Sequence, residues 1–157
     1  MNMNETLKAT GTVSIEIFDE SGKMKDKVFV PNLVVTTGRD HIASLMGPSV
    51  GTVVAMSHMA IGDSNTLPGD TPSAVTLADT SLVNQLAIVV FDNATEVVDN
   101  TLTYTTTFIP GSGTGNITEA GIFNAATTGD MLCRTIFPIV TKEALDTMTI
   151  TWIVTIS

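Results

Sequence analysis

Apolar and polar positions alternate with period two along most of this chain. In GTVSIEIFD (11–19), Val13, Ile15 and Ile17 fall on one side and Ser14 and Glu16 on the other. Successive side chains of a strand point to opposite faces, so the pattern predicts a half-buried strand. ESGK (20–23) reads as a turn and KVFVPNLVV (27–35) as the returning strand, where Pro31 lacks a ladder N–H and predicts a bend or an edge. The period changes at TTGRDHIASLMG (36–47), the best helix candidate. Thr37 or Asp40 is its expected cap, Ile42, Leu45 and Met46 its apolar face, and Gly47-Pro48 its stop; His41 is expected on the exposed side. MSHMAIGD (56–63), SLVNQLAIVVF (81–91) and VVDNTLTYTTTFIP (97–110) read as further strands, the last with Leu102, Tyr104, Thr106 and Phe108 on one face. ITEAGIFNAATTGDMLCRTIF (117–137) is a strand, a turn at 127–130 and a strand. TMTITWIVTIS (147–157) closes the series, with Met148, Ile150, Trp152, Val154 and Ile156 on one face.

One connection is long: 63–80, rich in Pro, Gly, Ser and Thr, is expected to be an ordered loop, while the short GSGTGN (111–116) is expected to be a flexible one. About eight strands, one short helix and regular turn signals predict an all-β antiparallel β-sandwich. No repeat or composition break divides the chain, so a single domain over 11–157 is expected, preceded by a polar segment, 1–10, that reads either as an N-terminal arm or as a frayed terminus.

Composition narrows the partners. The 157 residues are 43% hydrophobic and 15% charged, with 7 basic against 16 acidic side chains and a net charge of −9. Duplex nucleic acid is bound mainly through Lys and Arg on phosphates, so no nucleic acid is expected, whereas a basic patch on another protein would attract this surface. The longest apolar run, 86–91, is too short to cross a bilayer and the N-terminus lacks a secretory pattern, so neither membrane nor signal peptide is expected. The single Cys133 allows no internal disulfide and no Cys/His zinc pattern, which suits a reducing compartment.

Candidate chemistry is sparse. His41, His58, Cys133 and an acid would make a triad on paper, but Cys133 lies mid-strand in MLCRTIF, where a small buried hydrophobe is the ordinary role. His58 reads as a structural histidine satisfied by a backbone group. Asp63, Asn65 and Asp70 in GDSNTLPGD are oxygen ligands, yet Pro68 interrupts the calcium-loop pattern and no glutamate closes it, and Asx turns explain them as well. GSGTGN precedes a strand rather than a helix, which a phosphate cradle does not. No catalytic, cofactor-binding or metal-ligating residue is therefore assigned, and no cofactor. Glu119, just before Ala120-Gly121, is either an exposed strand residue, an ion-pair partner of Arg39 or Arg134, or a carboxylate that accepts backbone N–H bonds and holds a bend that Gly121 permits.

Four segments recur in an order that is familiar: SHMAIGD (57–63), TSLVNQL (80–86), ITEAGIFNA (117–125) and MLCRTIFP (131–138). This series resembles tailed-bacteriophage virion structural proteins: the N-terminal domain of phage tail-collar fibre proteins and, with NLVVTTGR (32–39) and TITW (149–152), small phage tail and decoration proteins. The resemblance spans about 13–152. It departs at Gln85, where tail-collar proteins favour an acid. It implies a virion protein assembled in the host bacterial cytoplasm and working without catalysis.

Within that class the favoured expectation is a capsid decoration or cement protein that docks on the major capsid protein or other virion proteins as a symmetric homo-oligomer, a trimer. A tail-fibre anchor, tail-collar or baseplate component is the alternative; a complete tail fibre is not expected, because a chain this short would not both span distance and read a cell surface. A carbohydrate-binding module is more remote, because one Trp and one Tyr make a poor stacking platform.

Overall fold

In the computed structural model, residues 6–47, 53–64, 71–93 and 96–157 are described. Of the segment read as an arm, residues 1–5 lie outside these ranges, and Ala9 and Thr10 belong to the first strand.

The alternating segments pair as neighbours. Strand β1 (Ala9–Phe18) aligns antiparallel with β9 (Thr147–Ile156), setting Val13 opposite Trp152 and Ile15 opposite Ile150. All four are fully or almost fully buried, as the period-two pattern requires. On the other side of β1 runs β2 (Met24–Val34), joined through a turn in which the Asp19 carboxylate accepts the N–H groups of Ser21 and Lys23 and Gly22 takes φ +81°. Beyond β9 lie β6 (Thr101–Phe108) and β5 (Glu96–Val98). The second half of the molecule contains β3 (His58–Gly62), β4 (Gln85–Val90), β7 (Gly115–Phe123) and β8 (Met131–Lys142).

The expectation of an antiparallel all-β fold holds, and the architecture differs in detail from a sandwich of two sheets. One nine-stranded antiparallel sheet, in the order β4-β3-β7-β8-β2-β1-β9-β6-β5, curls on itself. The two layers are its halves, and β2 is the corner. Its first part pairs with β1 as far as Asn32, and its last residues, Leu33 and Val34, pair with Arg134 and Cys133 of β8. Pro31 sits at this transition, and its carbonyl accepts a bond from the Thr135 hydroxyl at 2.7 Å. The curl brings the end of β4 to β6: Asp92 N–H donates to the Thr105 carbonyl, and the Asp92 carboxylate receives the Thr107 N–H and hydroxyl. A ninth strand arises because 97–110 is not one strand. Asp99 (φ 53°) and Asn100 form a tight turn that makes β5 and β6 a hairpin. Pro138 falls inside β8, where the register with β7 slips from Ile117↔Val140 to Glu119↔Ile136; at such an irregularity the missing N–H costs little.

The main core fills the space between the halves, with Val13, Ile15, Met59, Ile61, Phe108, Ile122, Ile150 and Trp152 among its buried members. Each contributes about 1.5–3 kcal/mol relative to exposure. A smaller cluster, Val35, Ala60, Leu82, Phe123 and Met131, lies apart from it.

Helix α1 (Thr36–Met46) follows β2 as expected, but its details correct the sequence expectation. Val35 occupies the N-cap position and no side chain caps the helix, so neither Thr37 nor Asp40 plays that part. The buried residues are Gly38 and His41, not an Ile42/Leu45/Met46 face: Ile42 is half-buried, whereas Leu45 is 61% and Met46 74% exposed. The cause is Gly38. Any Cβ there would stand 2.0 Å from the Leu132 carbonyl oxygen, so the helix backbone presses directly on β8 and carries His41 inward with it.

Candidate functional site

Glu119, the carboxylate just before Ala120-Gly121, lies on β7. β7 and β8 pair with Glu119 opposite Ile136 and Gly121 opposite Arg134. Glu119 and Arg134 are thus diagonal neighbours, within reach of each other's long side chains. Arg134 directs Nε (2.9 Å) and Nη2 (2.7 Å) at the same oxygen, Glu119 Oε2. Both side chains are buried, Glu119 completely. Of the two ion-pair partners open to Glu119 in sequence, Arg134 is the one it has; Arg39 instead donates from Nε to the Val34 carbonyl.

The remaining capacity of the pair is spent on the described residues between β3 and β4, 63–64 and 71–84. Glu119 Oε1 accepts the backbone N–H of Ser64 (3.2 Å) and of Asn84 (3.0 Å). Arg134 Nη1 bonds Asp79 Oδ2 at 2.7 Å, and Nη2 reaches the Ser64 hydroxyl and the Ser73 carbonyl. Asp79 is held by Thr76, whose hydroxyl and N–H both donate to its carboxylate. At the ends of the segment Asn84 Nδ2 donates to Asp63 Oδ1 and Asp63 N–H to the Asn84 carbonyl. Gly62 makes this closeness possible, because a Cβ there would lie 2.4 Å from the Asn84 oxygen and 2.7 Å from Glu119 Oε1. The segment is therefore a strap anchored on β7 and β8, with Leu82 packed into the smaller apolar cluster.

Burying two charges costs several kcal/mol per ion, and a pair repays that only when its other donors and acceptors are filled. Here they are. Glu119 pairs with Arg134 and is not exposed, and the backbone N–H groups it accepts come from Ser64 and Asn84 of the strap, not from the bend at Ala120-Gly121 that it was expected to hold. Burial opposes ionisation of Asp79, but the bonds from Thr76 and Arg134 outweigh it and hold its carboxyl below the ordinary range.

The other candidates lie elsewhere. Cys133 is fully buried and burial pushes its thiol well up, away from the thiolate a nucleophile needs. His58 Nδ1 meets the Ser57 hydroxyl at 2.7 Å, and that hydroxyl also bonds the Asn124 carbonyl. Its partner is a side chain, not the backbone group expected. His41 is buried under α1, not exposed. Asn65 and Asp70 lie outside the described residues. Among the described residues no group of three or more His, Cys, Asp or Glu is placed to hold a metal ion, and no helix is long and apolar enough to cross a membrane. Trp152 and Tyr104 are both buried, and burial raises the Tyr104 hydroxyl to about 12.

Sequence reasoning missed Asp79, Ser64 and Asn84 as anchors. A usable signal existed for Asn84 alone: the segments 57–63, 80–86, 117–125 and 131–138 include β3, Asn84 and most of β7 and β8 and converge on the Glu119–Arg134 pair, whereas Ser64 and Asp79 fall outside them. No family model, curated protein or solved structure matches this chain.

Proposed function

We propose that this chain is a non-enzymatic structural protein of a tailed-phage virion, a decoration or cement protein that docks on the assembled shell as a symmetric trimer. The observation that carries the reading is the convergence just described. The four segments that resemble phage virion proteins supply Gly62, Asn84, Glu119 and Arg134 to one buried polar network, Ser64 and Asp79 from between the first two segments complete it, and that network holds a strap to a sheet. Its ionised groups are occupied by internal partners, which suits a rigid docking body rather than a reaction centre. A body that binds only the assembled shell stabilises it by mass action, and repetition around a symmetric particle multiplies weak contacts.

The test is the position and stoichiometry of the chain in purified virions. A decoration protein repeated over a symmetric shell is expected at on the order of hundreds of copies, and particles lacking it should release their contents at lower temperature. A handful of copies confined to the tail would replace this reading with a tail-collar or baseplate role; turnover of any substrate by the isolated chain would remove both.

A further inference from the structure

The end of the molecule around α1 carries two features that complement each other. The first is a groove of ≈ 420 Å³ between residues 6–10, α1 and the end of β9. Its apolar walls include Leu7, Ile42 and Met46, and two cations, Lys8 and Arg39, line it. Cations are scarce here. Lys25, Lys27 and Arg134 are in ion pairs, Lys142 donates to the Ile109 carbonyl, and Lys23 sits beside Asp19. Lys8 and Arg39 have no carboxylate partner among the described residues, yet a chain of net charge −9 places both in one groove.

The second feature is the tip of the β5–β6 hairpin. Glu96, Val97, Val98 and Asp99 are all exposed, Val97 by 62% and Val98 by 56%. Neither acid has a cation partner among the described residues. A three-residue edge strand that presents two valines to solvent between two carboxylates is costly for an isolated chain and suited to a contact. Val97 also lines a second, apolar cavity of ≈ 270 Å³ that shares Ile42 and Ile156 with the groove, so hairpin and groove belong to one continuous surface flanking α1.

We propose that the groove receives the β5–β6 hairpin of a second copy of this chain, with Val97 and Val98 against Leu7, Ile42 and Met46 and with Glu96 and Asp99 facing Lys8 and Arg39. Hairpin into groove is a heterologous contact, and such contacts repeat until the ring closes. The inference rests on the reading of the protein as a symmetric oligomer and names the surface that builds it.

The experiment measures the molar mass of the purified full chain by sedimentation across a concentration series at low and high salt. Wild type is expected to associate, more weakly at high salt. The groove variant Lys8→Glu/Arg39→Glu and the hairpin variant Glu96→Lys/Asp99→Asn should each raise the dissociation constant at least tenfold; Asn is chosen at 99 because it tolerates the left-handed backbone. All four positions are exposed, and circular dichroism checks that each variant folds. The combined four-site variant, with a basic hairpin and an acidic groove, should regain association. An oligomeric wild type whose two variants associate unchanged, or whose four-site variant fails to recover, overturns this interface and leaves the oligomer standing. A wild type that is monomeric at every concentration overturns the symmetric-oligomer reading and the interface with it.

Discussion

Replacing Glu119 with Gln keeps its size and removes its charge. In the folded protein Arg134 would then be a buried cation whose Nε and Nη2 lose an ionised acceptor. Breaking a buried pair by removing one partner costs about 3–5 kcal/mol, because the other charge stays desolvated. Domains are stable by only about 5–15 kcal/mol in total, so this is a large fraction. For a chain of this length each kcal/mol moves Tm by about 2–4 °C, which gives a fall of about 6–20 °C. Equilibrium urea unfolding of wild type, Glu119→Gln, Arg134→Met and the double variant would separate pair from parts. The double variant should be less damaging than the summed singles by about 1–3 kcal/mol, since it removes the buried cation together with the buried anion. It should not return to wild type, because the carboxylate of Asp79 loses its guanidinium and the Ser73 carbonyl loses a donor, although the amide oxygen of the introduced glutamine still accepts the N–H groups of Ser64 and Asn84. Glu16→Gln is the internal control: its bond to Lys27 is solvent-exposed and should be worth less than about 1 kcal/mol. If Glu119→Gln stays within about 1 kcal/mol of wild type, or the singles add to the double within about 0.5 kcal/mol, the buried pair does not anchor the strap.

Cys133 should be silent toward a thiol reagent in the folded protein and react within minutes once urea unfolds it; fast labelling of the native state would contradict its burial and raised thiol. Gly38→Ala should destabilise the fold by about 3 kcal/mol or more, read from urea unfolding, because the added methyl meets the Leu132 carbonyl backbone; a neutral result would show that α1 can lift away. Asp79 and Asp146 both have lowered folded-state values, Asp146 mainly through its bond to Lys25. Their contribution is present above the unfolded carboxylate range and lost as pH falls through the folded values, so Tm should hold near neutrality and decline below about pH 4. Asp79→Asn should flatten part of that decline.

Much of the frame was legible from residues alone. Period-two alternation is a local property, and β1 and β9 bury the residues it selects, from Val13 to Ile17 and from Met148 to Val154. The change of period at 36–46 marked the helix for the same reason. What alternation does not carry is which strand lies beside which. That β2 turns the corner between the halves, that the sheet curls until Asp92 meets Thr105, and that 97–110 is cut by the turn at Asp99-Asn100 follow from pairings between distant parts of the chain.

Glu119 shows the same division. Its position before Ala120-Gly121 in a chain with few charges marked it as unusual, and Arg134 was one of two cations it might meet. Burial chose between them, because a desolvated carboxylate must take the cation that the strand register sets diagonally beside it, while Arg39 stands on the helix and turns to the Val34 carbonyl. Ser64, Asp79 and Asn84 were ordinary loop residues until the strap folded over β7 and β8, Ser64 lying 70 positions from Arg134. Propensity and pattern act over a few residues and so determined the strands and the helix; packing and charge burial act only where distant segments touch, and they alone decided the curl of the sheet, the helix face and the polar anchor.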